Sequence, residues 1–106
     1  MSVLDDLNAA IANIGRTPRP RFESGLSADA YRWITKKHAD GAVHEPATIA
    51  AIMASEYWLP ACPRVFDVGA LYGYFSLVAE QHLEPVEITA FEMHPGIIPD
   101  LVANRG

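Results

Sequence analysis

Residues 65–76 read VFDVGALYGYFS, and they predict how the carboxyl-terminal part of the chain folds. The short apolar run Arg64–Val68 has the length and composition of a buried strand. It enters a turn that contains Gly69 and Gly73, and the apolar stretch Tyr74–His82 then predicts a helix. A strand that passes through a glycine turn into a helix is typical of a βαβ unit.

The next residues continue this unit. Val86–Phe91 is rich in β-branched residues and predicts a second strand. Gly96–Asn104 predicts a second helix. Strand, helix, strand and helix within residues 64–104 favour an α/β fold with a parallel sheet.

The amino-terminal part of the chain has a helical pattern. Helices are predicted over residues 2–14, from Ser27 to about His38, and from Pro46 to about Trp58. The first has an apolar stripe along one face, so we expect it to cover an apolar surface. The stripe consists of Leu4, Leu7, Ile11 and Ile14.

Residues 16–26 connect the first two helices and contain Pro18, Pro20 and Gly25. Such a stretch predicts a solvated linker. The change of pattern near Pro60 divides the chain into a helical region, residues 1–60, and the start of an α/β domain, residues 61–106.

Composition excludes several classes of protein. The net charge of the 106 residues is −5, which argues against a nucleic-acid or anionic membrane partner. No apolar run is long enough to span a membrane, and Asp5 and Asp6 stand where a secretory signal has basic residues. The single cysteine, Cys62, fits a reducing compartment. Together these features lead us to expect a cytoplasmic protein. The four histidines form no metal-binding pattern, so we expect no metal site.

The glycine turn has the chemistry of a ligand site. Open α/β sheets bind ligands at the carboxyl ends of their strands. Gly69 allows the backbone to approach a ligand closely, and Gly73 is expected to let the following helix sit tightly against the strand. The free amides at the start of that helix can receive a carboxylate. Asp67, at the strand end, can accept hydrogen bonds from the turn or meet a ligand ammonium group.

An acidic residue also ends the second strand. Glu92 follows Phe91, and an acid at this position usually binds the two hydroxyls of an adenosine ribose. Met93 can pack on the adenine. A dinucleotide fingerprint needs a middle glycine in the first turn, where this chain has Leu71, so the turn suits a ligand without a pyrophosphate. S-adenosylmethionine (SAM) is such a ligand.

The segments FDVGALYGYFS and AFEMHP resemble motif I and the following acidic loop of class I SAM-dependent methyltransferases, and they are most similar to the FkbM-type group. In that group the turn typically reads Asp-Val-Gly-Ala-Asn-x-Gly-Tyr, and the acidic loop reads Phe-Glu-Pro-x-Pro. This chain has Leu71 in place of the Asn and Met93 in place of the first Pro. The likeness spans roughly residues 44–104.

The resemblance implies a set of cofactor contacts. The residues implied to surround the amino-acid part of SAM are Asp67, Gly69, Ala70 and Gly73. Glu92 would hold the ribose, and Met93 would border the adenine. Glu45, in the segment His44-Glu45-Pro46, either lies near the methionine end of SAM or simply begins a helix.

The resemblance also implies a fold and a reaction. The fold would be Rossmann-like, cut off after two βα units and preceded by a helical cap, so we expect no catalytic residue and no activity from this chain alone. The complete enzyme would transfer a methyl group to oxygen on a sugar or small metabolite. The alternatives are a non-catalytic methyltransferase module or remnant, and a nucleotide-dependent oxidoreductase. The open edges of a two-stranded sheet predict self-association.

Overall fold

The computed structural model describes residues 2–23 and 31–105. Within these residues the chain forms five helices and one parallel sheet of two strands, so the predicted α/β architecture is confirmed. The helices are α1 (Val3–Ala12), α2 (Arg32–Ala39), α3 (Pro46–Ser55), α4 (Tyr74–Leu83) and α5 (Ile98–Ala103). The strands are β1 (Arg64–Val68) and β2 (Glu87–Phe91). None of the helices in the described ranges has the length and apolar character needed to cross a membrane.

Most predicted boundaries lie within two residues of the observed ones, but α3 ends at Ser55 and not near Trp58, because residues 56–58 form a turn. β1 has the predicted ends, and β2 begins one residue later than expected. α1 begins after Ser2, whose hydroxyl accepts a hydrogen bond from the Asp5 amide at 3.1 Å in a capping box. The expected start of the second helix at Ser27 lies outside the described residues.

The buried face of α1 differs from the prediction. Leu4 is 66% exposed and Ile11 is 50% exposed, so the expectation that the whole apolar stripe is covered is wrong at these two positions. The buried contact is made by Ala10, which clusters with Ala50 and Ala54 of α3. Small side chains allow two helices to approach closely, and here that approach fixes which face of α1 is buried.

The segment after α1 is attached to the rest of the fold. Thr17 is buried, and its hydroxyl donates a hydrogen bond to the Ala42 carbonyl at 3.0 Å. The Arg21 amide donates to the Asn104 side chain at 2.5 Å, and the Asn104 amide group donates back to the Arg21 carbonyl at 2.8 Å. The same Asn104 group also donates to the Tyr72 carbonyl at 2.9 Å. The expected solvated linker is therefore wrong at Thr17 and in being unattached, whereas Arg16, Arg19 and Arg21 are exposed as expected.

The core joins the helical region to the glycine turn. Its largest cluster contains Ile49 from α3, Tyr72 from the turn, and Tyr74 and Val78 from α4. The strands pair in parallel, with Val68 beside Phe91 at their carboxyl ends. The carboxyl ends of both strands therefore lie at one edge of the sheet. The glycine turn lies next to them and is anchored in the core by Tyr72.

Candidate functional site

The glycine turn between β1 and α4 is bound to the end of β2. The amides of Gly69 and Ala70 both donate to the Phe91 carbonyl at 2.9 Å. The backbone is left-handed at Gly69 (φ 74°), Leu71 (φ 56°) and Gly73 (φ 93°). These three positions wind the chain from the strand into the helix within a few residues.

Glu92 is joined to the turn by its side chain. One carboxylate oxygen accepts a hydrogen bond from the Leu71 amide at 2.8 Å, and the other accepts from the His94 amide at 2.9 Å. A carboxylate can accept about four hydrogen bonds, so these two leave capacity for two further donors. The sequence placed Glu92 and the glycine turn at the same edge, and the structure brings them into direct contact.

The two glycines of the turn have different surroundings. A Cβ atom added at Gly69 would meet no other atom within 4 Å, so the space in front of this residue is open. A Cβ added at Gly73 would lie 3.1 Å from the Leu101 side chain. Gly73 was expected to allow close packing of the helix on the strand, and that expectation is wrong because its close neighbour is α5. Gly69 borders open space, whereas Gly73 lies close to a side chain of α5.

Asp67 and Met93 differ in how far they are buried. Asp67 is half-buried, and one of its carboxylate oxygens accepts a hydrogen bond from the Ser76 hydroxyl of α4 at 2.6 Å. Ser76 was not singled out from the sequence, although its position in the first turn of the helix places it behind the strand end. Met93 is 96% exposed. The structure therefore fixes the orientation of Asp67 and leaves the Met93 side chain open to solvent.

Glu45 lies at the beginning of α3, directly before Pro46. Its backbone is left-handed (φ 51°), which is uncommon for a residue other than glycine. It makes no side-chain cap for α3, and its carboxylate lies 3.3 Å from Nε2 of His44. The His44 ring packs edge-on against the Tyr74 ring at 6.2 Å. Glu45 is thus linked to the start of α4 through one intervening side chain.

A buried imidazole supports the turn from behind. His38 stacks on Tyr74 with ring centroids 3.7 Å apart, and its Nδ1 contacts the Tyr72 hydroxyl. Among the described residues, neither His38 Nε2 nor the Tyr74 hydroxyl has a hydrogen-bond partner. Burial, assisted by the nearby charges of His44 and Lys37, lowers the pKa of His38 from 6.5 to about 4, and burial also raises the pKa of Tyr72. The sequence placed His38 only at a helix end, so this cluster was missed.

The left-handed backbone at Leu71 gives a physical meaning to its difference from the FkbM-type pattern. Asn adopts this conformation more readily than other non-glycine residues, and the pattern has Asn there. Leu71 tolerates the same backbone at a cost of about 1–2 kcal/mol. Its side chain is half-buried against the cluster around Tyr72, and that packing offsets part of the cost.

The chain matches no family model, no curated protein and no solved structure. The residues at the carboxyl edge of the sheet and their contacts are therefore the basis on which its function is inferred.

Proposed function

We propose that this chain is the SAM-binding portion of a class I methyltransferase similar to the FkbM-type group, built on a Rossmann-like sheet. The main support is the contact between Glu92, at the end of β2, and the Leu71 amide in the glycine turn. This contact joins an acid suited to ribose with a turn suited to an amino acid at one sheet edge. The sequence pattern and the geometry of the edge thus agree.

The open space at Gly69 fits the amino-acid part of SAM. A side chain at this position would project into space that no other atom within 4 Å occupies. The amino-terminal end of α4 lacks a side-chain cap, so its amides can receive the SAM carboxylate. Asp67, held by Ser76, supplies a negative charge at the strand end for the SAM ammonium group.

Glu92 and Met93 fit the adenosine part. The unused hydrogen-bonding capacity of the Glu92 carboxylate matches the two ribose hydroxyls. The exposed Met93 side chain can cover one face of the adenine without displacing a core residue. These roles require no large change in the turn.

SAM supplies an activated methyl group, and the residues of this chain bind and orient it. A sugar or small-metabolite hydroxyl as acceptor follows from the family resemblance alone. Placing the acceptor oxygen in line with the methyl group would supply most of the rate enhancement, because correct orientation lowers the barrier to transfer.

The proposal is tested by calorimetric titration of the chain with S-adenosylhomocysteine. Glu92→Ala removes charge-assisted hydrogen bonds to the ribose, and because the loss of one such bond costs about 1.5–3 kcal/mol, binding should weaken at least roughly ten- to a hundredfold. Glu84→Ala is the matched control, because Glu84 is an exposed carboxylate near the opposite end of β2. NAD should not bind to either protein.

Circular dichroism of Glu92→Ala is measured in parallel, because Glu92 also holds the turn. Equal affinity in Glu92→Ala and the unmodified chain would remove Glu92 from the site. Binding of NAD in preference to S-adenosylhomocysteine would favour the oxidoreductase alternative.

A further inference from the structure

One side of the sheet, which we call the outer face, consists of Arg64, Phe66 and Val68 of β1 and Glu87, Thr89 and Phe91 of β2. The alternate residues point the other way, as the hydrogen bond from Ser76 of α4 to Asp67 shows. Phe66 is 71% exposed, Val68 is 79% exposed and Phe91 is 48% exposed. Parallel sheets in proteins are normally covered on both sides. The exposed apolar side chains of the outer face therefore favour contact with a partner.

The outer face is organised in rows. The register of the strands places Arg64 beside Glu87 and Val68 beside Phe91. The first row is charged and the last is apolar, with Phe66 and Thr89 between them. A partner must therefore present charge at one end of the face and apolar surface at the other.

We propose that a second copy of this chain covers the outer face, sheet against sheet, about a two-fold axis parallel to the strands. Rotation about this axis keeps the strand direction and places β1 of each copy opposite β2 of the other. Arg64 then faces Glu87 of the second copy, and Glu87 faces its Arg64. Val68 likewise faces Phe91 of the second copy, so apolar surface meets apolar surface.

Charge selects this arrangement over the other two-fold stacking. An axis in the plane of the sheet but perpendicular to the strands would place the charged row of each copy on the apolar row of the other. Burying Arg64 and Glu87 against Val68 and Phe91 is unfavourable, because the charges would lose water without gaining a partner. Packed sheets lie about 10 Å apart, a gap that the exposed Arg64 and Glu87 side chains can bridge from both sides.

The pair within each chain is compatible with this interface. Arg64 Nε lies 3.1 Å from a Glu87 carboxylate oxygen of the same chain. The guanidinium has five N–H donors, so one bond leaves others directed at the second copy. The charged end of the dimer would then hold four alternating charges, two from each copy.

The test uses two charge-reversal variants, Arg64→Glu and Glu87→Arg. Each loses the pair within its own chain, so the two are equally perturbed as monomers. Each homodimer would place like charges opposite each other, and we expect association at least about tenfold weaker than in the unmodified chain. An equimolar mixture of the two restores opposite charges only between chains, so mixed dimers should form.

Analytical ultracentrifugation measures the dissociation constants, and native mass spectrometry identifies the mixed dimer, because the variants differ in mass. Lys36→Glu makes the same charge change on an exposed residue of α2 and should leave the dimer unchanged. Val68→Lys places a charge in the apolar row at an exposed position that tolerates it, and should abolish the dimer.

Three results would overturn the proposal. The unmodified chain could remain monomeric up to hundreds of micromolar. The Arg64→Glu variant could dimerise normally, as expected if the open strand edges pair instead. The mixture of variants could fail to give the mixed dimer although both variants keep the circular dichroism of the unmodified chain.

Discussion

The buried imidazole of His38 makes the stability of the fold depend on pH. An unfolded chain protonates this histidine near pH 6.5, whereas burial holds the pKa of His38 at about 4 in the folded chain. Between these values the unfolded state binds more protons than the folded state. The contribution of His38 to the free energy of unfolding is therefore fully present above pH 6.5, and it is lost as the pH falls towards 4.

The size of the effect follows from the shift. A pKa lowered from 6.5 to about 4 corresponds to about 3 kcal/mol between pH 7 and pH 4. This is a large fraction of the free energy of unfolding of a small domain, which is typically about 5–15 kcal/mol. We expect unfolding at a lower urea concentration at each step of acidification.

The assay is urea unfolding followed by circular dichroism from pH 7 to pH 4, with His38→Phe as the comparison. The variant keeps an aromatic ring against Tyr74 and has no group to protonate. It leaves the Tyr72 hydroxyl without its contact, so its stability should be lower by about 1–3 kcal/mol at pH 7. All measurements use one protein concentration, because association would otherwise contribute to the apparent stability.

The difference between the two proteins isolates His38. Burial also lowers the pKa of His82, but His82 and the carboxylates are common to both proteins, so their contributions cancel. The stability of the unmodified chain relative to His38→Phe should fall by about 3 kcal/mol over this range. A difference that stays constant from pH 7 to pH 4 would show that His38 is protonated as easily in the folded chain as in the unfolded one.

Three further substitutions test the turn and the first helix. Gly69→Val should abolish the calorimetric binding of S-adenosylhomocysteine, because the valine side chain fills the open space next to the turn. Gly15→Val is the control: a Cβ at Gly15 also has no neighbour within 4 Å, and this variant should bind normally. Normal binding by both variants would mean that the turn has only a structural role. Gly73→Ala should lower the free energy of unfolding by about 2 kcal/mol, because of its positive φ and the 3.1 Å approach to Leu101, and an unchanged urea midpoint would contradict this. Ser2→Ala should cost about 1 kcal/mol through loss of the capping box, seen as a lower thermal midpoint; an unchanged midpoint would mean that the cap is not formed in solution.

The sequence predicts the βαβ unit well because its signals are local. A short apolar run, two glycines and a β-branched run each specify the structure of their own segment. The meeting of Glu92 with the turn was also predictable, since the carboxyl ends of neighbouring parallel strands share an edge. Both inferences need only the order of the elements along the chain.

Contacts between distant segments could not be predicted in this way. The contact of His38 with Tyr72 spans 34 positions, and no spacing rule links a residue near a helix end to a turn that far away. The buried face of α1 depends likewise on the alanines of α3, whose position relative to α1 is a property of the tertiary fold. For the same reason, Thr17 and Arg21 looked like linker residues although both are hydrogen-bonded to later parts of the chain.

The bonds of Asn104 have a consequence for the order of folding. This side chain ties down Arg21 across 83 positions of the sequence, so its contribution requires the closure of a long loop. Contacts of such high sequence separation slow folding, and during synthesis they cannot form until Asn104 has left the ribosome. The segment around Arg21 must therefore wait until translation has passed Asn104 before it reaches its final position.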